Sequence, residues 1–477
     1  MAKIDKDLKR LQRLETGVQS LSRQLVPVGI AVTFLAMIGV AAGTLSGVHT
    51  GWALFVAASI IGGYMALNIG ANDVANNMSP AVGSRALTIT TAVIAAAVFE
   101  AAGAIIAGGE VVSTVASGII NPEMMPSSQI FAYAMMSALL AAALWINLAT
   151  WLGAPVSTTH SIVGAVLGAG IVVAGFEAAD WSVIARIVAS WVISPVTGGL
   201  IAAGFLFYID RTILDRKNKL EAARFQVPIL VGIMAGTFST YLILKGLARI
   251  MPAPLEMALL AGVAIGVASW FVVRPFIART LQGKENRKAS VGELFTIPVI
   301  CGACLLSFAH GSNDVANAIG PLAAIYVAIT DGVTGGPAPL PTWILLIGAL
   351  GISLGLLLFG PKLIRTVGSK ITKLNRVRAY CVTLSAGITV IIASTLGMPV
   401  SSTHVAIGAL FGVGFLREGI ANNGKAKKKS KDKDANRKTR YLVRRGHVVT
   451  IVSAWVITVP ATGLLSAAIA FTMTVLF

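Results

Sequence analysis

Long apolar runs separated by short polar segments dominate the sequence. A helix needs about 20 apolar residues to cross the hydrocarbon core of a bilayer, and thirteen runs come close to that length or exceed it. They occupy 27–47, 51–70, 86–107, 128–150, 156–176, 184–208, 227–247, 255–273, 293–312, 342–360, 379–397, 400–416 and 447–477. The pattern predicts an all-α polytopic membrane protein with about 12–13 membrane segments.

Composition and charge support this interpretation and give it an orientation. Only 12% of the 477 residues are charged, whereas soluble domains carry about a quarter. Of the 38 Lys and Arg residues, 34 lie in five segments, namely 1–25, 209–226, 274–292, 361–378 and 417–446. Basic residues concentrate in the cytoplasmic loops of membrane proteins. The five segments are therefore predicted to be cytoplasmic, and the N-terminus with them.

The remaining loops carry the opposite signature. Residues 108–126, 177–183 and 313–341 contain no Lys or Arg, which predicts that they are external. The net charge of +18 therefore reports orientation and contact with anionic lipid, and it indicates no nucleic-acid partner. We expect a multi-pass protein of the cell membrane, with the lipid bilayer as its environment.

The chain contains two related halves. GANDVANNMSPAVG at 70–83 and GSNDVANAIGPLAA at 311–324 are identical at seven of fourteen positions. LGAPVSTTHSIVGAVLGAG at 152–170 and LGMPVSSTHVAIGALFGVG at 396–414 are identical at eleven of nineteen. Seven predicted crossings separate the two NDVAN motifs, and an odd number predicts inverted repeats, as in many secondary transporters. If the hydroxyl segments are re-entrant hairpins instead of crossings, we expect this parity to change.

The repeat predicts four regions along the chain. Residues 1–50 are expected to form an amphipathic leader and an extra transmembrane helix, and 51–208 the first transport repeat. Residues 209–292 are expected to connect the halves through two linking transmembrane helices, and 293–477 to form the second, inverted repeat. The second repeat includes the basic cytoplasmic loop 417–446, whose composition cannot bury a core.

Each NDVAN motif places one carboxylate and two amides within a helical turn. The residues are Asn72, Asp73 and Asn76 in the first half and Asn313, Asp314 and Asn317 in the second. A Gly precedes each motif and a Pro follows it, so we expect a broken helix with exposed backbone carbonyls. Carboxylate, amide and carbonyl oxygens suit Na⁺, or a proton on Asp. The alternative is polar contact between helices, although a buried Asp costs about 2.5–3.5 kcal/mol and occurs twice.

Each PVSTTH-type segment places three hydroxyls at the start of an apolar helix. They belong to Ser157, Thr158 and Thr159 in the first half and to Ser401, Ser402 and Thr403 in the second. A helix N-terminus offers unpaired N–H groups and the positive end of the helix dipole, where phosphate binds readily. The hydroxyls therefore predict an oxyanion site. The alternative is ordinary Ser/Thr capping of a helix that restarts inside the membrane.

Three further ionisable residues lie inside apolar runs. Glu100 has no acidic counterpart in the run 342–360, and a lone intramembrane acid is a candidate functional residue. A hydrogen bond between helices is its alternative. His160 and His404 follow the hydroxyl clusters, and each is expected either to donate to a substrate or to bond a neighbouring carbonyl.

Taken together, GANDVAN, GSNDVAN, PVSTTH, PVSSTH and FEAAGA resemble the motifs of the inorganic phosphate transporter (PiT) family. The resemblance covers about residues 51–477 in the order of segments. It implies an inverted-repeat symporter that imports inorganic phosphate with cations, often as a homodimer. The chain differs from the family pattern in its N-terminal helix and in lacking a second-half partner for Glu100.

The resemblance and the motifs together give an expected set of site residues. Substrate contacts are expected from Ser157, Thr158, Thr159, Ser401, Ser402, Thr403, Asn72 and Asn313. Contacts to the coupling cation are expected from Asp73, Asn76, Asp314, Asn317 and Glu100. No resident cofactor or metal is expected beyond the coupling H⁺ or Na⁺.

Electrostatics favours symport over the other functions that these residues allow. Moving a monovalent phosphate inward against 100 mV costs about 2.3 kcal/mol, and two co-transported cations reverse the sign of that cost. Na⁺ and H⁺ both satisfy the requirement. A transporter of another tetrahedral oxyanion such as sulfate, or an anion channel, remains an alternative. An intramembrane hydrolase is disfavoured because a single-site enzyme needs no inverted duplicate of its Ser, His and Asp.

Overall fold

The structure is a computed structural model that describes residues 25–45, 51–246, 253–330, 341–370, 374–429 and 445–476. The predicted amphipathic leader at 1–24 lies outside the described residues. So do 331–340 of the predicted external loop and 430–444 of the basic loop.

Fifteen α-helices make up nearly all of the described residues. They are α1 (Leu25–Leu45), α2 (Trp52–Gly83), α3 (Ile89–Ala107), α4 (Gly109–Ser117), α5 (Ser128–Leu152), α6 (Thr158–Ala174), α7 (Trp181–Ile209), α8 (Lys219–Tyr241), α9 (Leu255–Thr280), α10 (Lys288–Leu294), α11 (Thr296–Thr330), α12 (Thr342–Lys370), α13 (Arg376–Thr395), α14 (Ser402–Lys429) and α15 (Arg445–Leu476). Short π-helical segments extend α7 through Asp210–Leu214 and α8 through Leu242–Gly246.

The helices confirm the predicted class of fold. Within the described residues, eleven helices are long and apolar enough to cross a membrane, or twelve if the bent pair α10–α11 is one span. The shorter apolar helix α6 accounts for the remaining predicted run. Several helices extend beyond the predicted runs: α11 continues to Thr330, and α14 continues to Lys429 inside the basic insertion.

The predicted break in the helix at each NDVAN motif is wrong. α2 passes through the first motif without interruption and contains Pro80, and α11 passes through the second and contains Pro321. A proline inside a helix removes one N–H and bends the helix. Here the residues around both motifs are buried against neighbouring helices, and this packing holds each helix together across its proline.

The interruptions lie instead at the hydroxyl segments. Gly153 directly follows α5 and Gly397 lies two residues after the end of α13, and both glycines have left-handed backbone conformations with φ of 71° and 66°. A proline two residues later, Pro155 or Pro399, cannot continue a helix. α6 and α14 then start afresh, so each hydroxyl segment becomes the tip of a helical hairpin.

The first hairpin is re-entrant. Its two ends are joined on one face, where Asn121 N–H donates to the Ala178 carbonyl at 2.8 Å. Its first arm, α5, runs parallel to α2, because Asn147 bonds Asn68. α5 stops beside Asn72 while α2 continues to its end at residue 83. A re-entrant hairpin contains two helices, so the parity of the crossing count is unchanged, contrary to the sequence expectation.

Contacts between α2 and α11 show that the two halves are inverted. The Phe55 ring near the start of α2 lies 5.4 Å from the Tyr326 ring near the end of α11. Further along α2, the Thr158 hydroxyl is within hydrogen-bonding distance of both Asp73 and Asp314. Residue numbers thus rise along one helix as they fall along the other. The two NDVAN helices are antiparallel, which confirms the inverted-repeat architecture.

Reciprocal packing extends this symmetry to the other helices. α2 packs on α12 as α11 packs on α3, and α6 packs on α15 as α14 packs on α7. A Cβ at Gly70 would lie 1.9 Å from the Ile352 carbonyl oxygen, and a Cβ at Gly311 would lie 2.1 Å from that of Glu100. Ile352 and Glu100 therefore occupy equivalent positions, and small residues allow the helices to approach closely.

We predict that Gly412→Ala destabilises the fold whereas Gly204→Ala does not. An added Cβ at Gly412 would lie 2.0 Å from the carbonyl oxygen of Gly199 on α7, whereas one at Gly204 would meet nothing within 4 Å. Forcing the two helices apart costs typically 1–3 kcal/mol, as an order-of-magnitude figure. The measurement is the melting temperature of each purified variant in detergent. Equal melting temperatures for the two variants would contradict this account of the helix contact.

Candidate functional site

The two hairpin tips meet where α2 and α11 cross. Thr158 Oγ1, at the start of α6, lies 2.9 Å from Asp73 Oδ2 and 3.3 Å from Asp314 Oδ2. All three side chains are buried. A hydroxyl carries one proton, so it can satisfy only one of the two carboxylates at a time. The two carboxylates therefore compete for the Thr158 proton.

The second hairpin reaches the same carboxylates. Ser402 Oγ donates to Asp314 Oδ2 at 3.1 Å, and Thr403 Oγ1 donates to Asp73 Oδ1 at 3.1 Å. Each hairpin therefore bonds to both NDVAN helices. The N-termini of α6 and α14 bring their positive dipole ends to the same point.

Asn76 and Asn317 join each helix to the hairpin of the opposite half. Asn76 Nδ2 donates to Thr403 Oγ1 at 2.8 Å, and Asn317 Nδ2 donates to Thr159 Oγ1 at 3.2 Å. Thr159 in turn donates to the Val400 carbonyl at 3.0 Å. The two asparagines make equivalent contacts in the two repeats, and all of these side chains are buried.

Asn72 and Asn313 hold the hairpin of their own half. Asn72 Nδ2 donates to Thr150 Oγ1 at 2.9 Å, and Asn313 Nδ2 donates to Ser394 Oγ at 3.0 Å. Asn72 Oδ1 also accepts from the Val156 N–H at 3.3 Å. Asn313 Oδ1 is buried with no hydrogen-bond partner among the described residues, so it retains the capacity to accept from a ligand.

Ser157 and Ser401 cap the helices that follow them. Ser157 Oγ accepts from the His160 N–H at 3.1 Å, and Ser401 Oγ accepts from the His404 N–H at 3.2 Å. Both serines are buried beside the hairpin tips. Their arrangement in this structure matches the capping alternative, while the next residues along the chain supply the hydroxyls that face the carboxylates.

His310 belongs to this cluster, although the motif comparison does not single it out. Its Nε2 lies 3.0 Å from Asp314 Oδ2, and its Nδ1 lies 3.2 Å from Glu100 Oε2. Asn77 Nδ2 donates to the other oxygen of Glu100 at 2.8 Å. One ligand atom each from Asp73, His310 and Asp314 lie within 4.8 Å of one another, a spacing suited to holding a cation. The signal in the sequence is the i, i+4 spacing of His310 and Asp314.

Glu100 and His310 break the symmetry of the repeats. Glu100 is equivalent to Ile352 by packing, and His310 aligns with Ile69 through the NDVAN motifs. Ile69 on α2 and Ile352 on α12 therefore give a buried apolar pair where α11 and α3 place an imidazole and an acid. The carboxylates at the centre are symmetric, and their ionisable neighbours lie on one side only.

His160 and His404 lie between the hairpins, where each stacks on a tryptophan and the two imidazoles are tilted against each other. Their ring centroids are 4.2 Å apart. His160 stacks on Trp191 at 3.6 Å, and His404 stacks on Trp455 at 3.4 Å. His160 Nδ1 also shares a hydrogen bond with Ser157 Oγ at 2.8 Å. The main contacts of both histidines are with aromatic rings.

Comparison with known proteins identifies the family. The sequence matches the phosphate transporter family over residues 69–466. The chain belongs to the phosphate transporter family. The matched range contains every candidate site residue described above.

Individual relatives align with most of this chain. A Helicobacter pylori protein named as a phosphate permease is 47% identical over 415 residues, covering 86% of this chain and 78% of that protein. The chloroplastic inorganic phosphate transporter 2-1 of Arabidopsis thaliana is 37% identical over 435 residues, covering 85% and 70%. A solved structure described as the sodium-dependent phosphate transporter is 36% identical with a TM-score of 0.80, covering 89% of this chain and 100% of that one.

We predict that His404→Phe preserves the contact between the hairpins of this transporter, whereas His404→Ala weakens it. Phenylalanine retains two stacked faces, while alanine removes both, and each aromatic pair contributes about 0.5–1.5 kcal/mol beyond its buried area. The melting temperature should fall for the alanine variant and remain near the parent value for the phenylalanine variant. A similar fall for both variants would show that the imidazole nitrogens, and not the stacking, hold the hairpins.

Proposed function

We propose that this protein is a secondary active transporter that imports inorganic phosphate together with coupling cations. Family membership supports the substrate. The observation that carries the mechanism is the Thr158 hydroxyl shared between Asp73 and Asp314. This hydroxyl lies on the proposed anion-binding hairpin and also bonds the two carboxylates of the proposed cation site.

Charge at the site supports cation coupling. Asp73, Asp314 and Glu100 are fully buried, and His310 is the ionisable base among them. Even with His310 protonated, three ionised carboxylates leave an excess of negative charge. Unpaired buried charge is costly, so the site must take up protons or metal cations. The related solved protein is described as sodium-dependent, which supports Na⁺; His310 supplies a group that also accepts a proton.

Coupling follows from competition for the hydroxyl donors. In the geometry observed, Thr158, Ser402 and Thr403 donate to the carboxylates. A cation between Asp73 and Asp314 satisfies those oxygens in their place. The hydroxyls and the two helix N-termini are then free to turn toward phosphate. Phosphate therefore binds well only after the cation, and this order is the basis of symport in the proposal.

The same proposal includes the predicted domains and orientation. Repeats 51–208 and 293–477 rock against each other around the central site, with 209–292 as the connecting segment. When α7, α8, α9, α11 and α12 each cross once, their basic connections lie on one side, which we assign to the cytoplasm with the N-terminus. The proposal also places the protein in the cell membrane as a homodimer.

The decisive experiment is uptake of radiolabelled phosphate into proteoliposomes. Na⁺ and pH gradients are imposed separately at fixed membrane potential, with excess sulfate as competitor in a parallel series. We expect saturable, cation-driven phosphate accumulation that sulfate does not inhibit. Uptake that does not saturate and ignores both cation gradients would replace symport with an anion channel. Equal competition by sulfate would make the substrate a broader class of oxyanion.

We predict that Asp73→Asn and Asp314→Asn each abolish uphill phosphate uptake while the protein still folds. Asparagine retains size and hydrogen-bonding ability but removes one charge, so cation affinity falls and the driving force is lost. Asp180→Asn is the matched control, because Asp180 is an exposed helix-capping residue whose role asparagine also performs. Uptake at the parent rate in both site variants would show that the motifs only pack the helices.

We also predict that Thr158→Val lowers phosphate affinity roughly 10- to 150-fold, since losing a hydrogen bond to a charged group costs about 1.5–3 kcal/mol. The control is Thr389→Val, which removes another buried hydroxyl that bonds only to the Ser385 carbonyl of its own helix. The measurement is phosphate binding at saturating cation concentration. An affinity within twofold of the parent for Thr158→Val would remove this hydroxyl from the phosphate site.

A further inference from the structure

A deep apolar groove lies between α8, α9 and the second half of α13. Its volume is about 860 Å³. The lining includes Ile229 and Ile233 of α8, Val263 and Trp270 of α9, Ile392 of α13, and Leu396 directly after α13. α8 and α9 are both membrane-spanning helices by length and composition. The groove therefore opens within the apolar part of the bilayer.

The few polar side chains in the lining are already satisfied. The hydroxyls of Thr237, Thr240 and Thr395 each donate to a carbonyl one turn earlier in their own helix, at distances of 2.9, 2.9 and 2.8 Å. Because these hydroxyls are already engaged within their own helices, they favour an occupant that requires no hydrogen bonds, and at this depth in the membrane the available occupant is a hydrocarbon chain.

One end of the groove is positively charged. Arg274 follows the lining residue Trp270 by one turn, and its guanidinium lies 5.2 Å from the Trp270 ring and 5.5 Å from the Phe225 ring. Among the described residues no carboxylate forms an ion pair with it. By contrast, Lys284 and Arg287 further along the same basic segment pair with Glu293 and Glu285. Arg274 thus retains charge for an anionic group at the mouth of the groove.

We propose that this groove binds an acyl chain of an anionic phospholipid, with the lipid phosphate at Arg274. The cation–π contacts hold the guanidinium at one end of the groove, and basic residues near the cytoplasmic membrane surface attract anionic headgroups.

The bound lipid contacts the transport machinery at two points. Tyr241 lines the groove, and its hydroxyl lies 2.6 Å from Ser312 Oγ, directly before the second NDVAN motif. Thr395 and Leu396 also line the groove and immediately precede the tip of the second hairpin. A lipid chain therefore packs against both elements that carry the second half of the central site.

This contact is available to one hairpin only. Leu152 and Leu396 are equivalent residues of the two hairpins and are equally exposed, each at 65%. Leu396 lines the groove, whereas Leu152 does not, because α8 and α9 occur once in the chain. The lipid thus acts on the second repeat alone, and its effect on transport adds to the symmetric mechanism without replacing it.

Native mass spectrometry of the full-length protein, purified from mixed micelles of palmitoyl-oleoyl phosphatidylglycerol and phosphatidylcholine, tests the site. We expect the parent to retain phosphatidylglycerol, and Val263→Trp, which fills the groove from α9, to retain none. Ile233→Trp fills it from α8 and provides a second variant if the first is unstable. Leu260→Trp is the control, since Leu260 is exposed on α9 outside the lining. Arg274→Gln should reduce the preference for phosphatidylglycerol about fivefold.

Two results would overturn the proposal. One is retention of phosphatidylglycerol by both tryptophan variants at the parent level. The other is conversion of a dimer to a monomer by the tryptophan variants with lipid retention unchanged, because the groove would then be covered by a second copy of the chain.

Discussion

Two carboxylates buried at one helix crossing set the constraint on which the rest of the structure depends. Asp73 and Asp314 are fully shielded from solvent and share the hydroxyl of Thr158. Like charges this close in a medium of low dielectric constant repel strongly. The protein holds them together by aiming hydroxyl donors, an imidazole and two helix N-termini at them. Most of those donors sit on hairpin tips, so in the proposed transport cycle the charge state of the carboxylates determines where the hairpins rest.

Inverted duplication is what brings the donors to the carboxylates from both sides. One hairpin satisfies part of each carboxylate, and the other hairpin approaches from the opposite direction. This arrangement requires the surrounding helices to come within backbone contact. Gly70 and Gly311 on the NDVAN helices, and Gly168 and Gly412 on the second arms of the hairpins, have no room for a Cβ. These glycines thus contribute to the electrostatics of the site, because the close helix contacts they allow bring the donors to the carboxylates.

The sequence predicts the symmetric part of the site well and the asymmetric part poorly, for a physical reason. Asp73, Asp314 and the hydroxyls occur twice, so self-similarity reveals them, and the structure brings them together. His310 occurs where the other half has Ile69, so no repeat marks it. Its contact with Glu100 depends on how closely α3 approaches α11, which is a tertiary property. The sequence shows that Glu100 has no acidic counterpart in the second half. The structure shows that it faces His310, which has no basic counterpart in the first half.

The continuity of α2 and α11 also changes which backbone atoms can serve as ligands. A broken helix would expose several carbonyls at each motif. A continuous helix with an internal proline exposes one, because Pro80 and Pro321 lack the N–H that residues four positions earlier would accept from. Those earlier residues are Asn76 and Asn317. Each motif therefore combines a carboxylate with a nearby carbonyl lacking its usual helical donor, on a helix stiff enough to hold both. In the proposed transport cycle, a rigid pair of oxygen ligands on each of two opposed helices would let the hairpins move while the cation ligands stay in place.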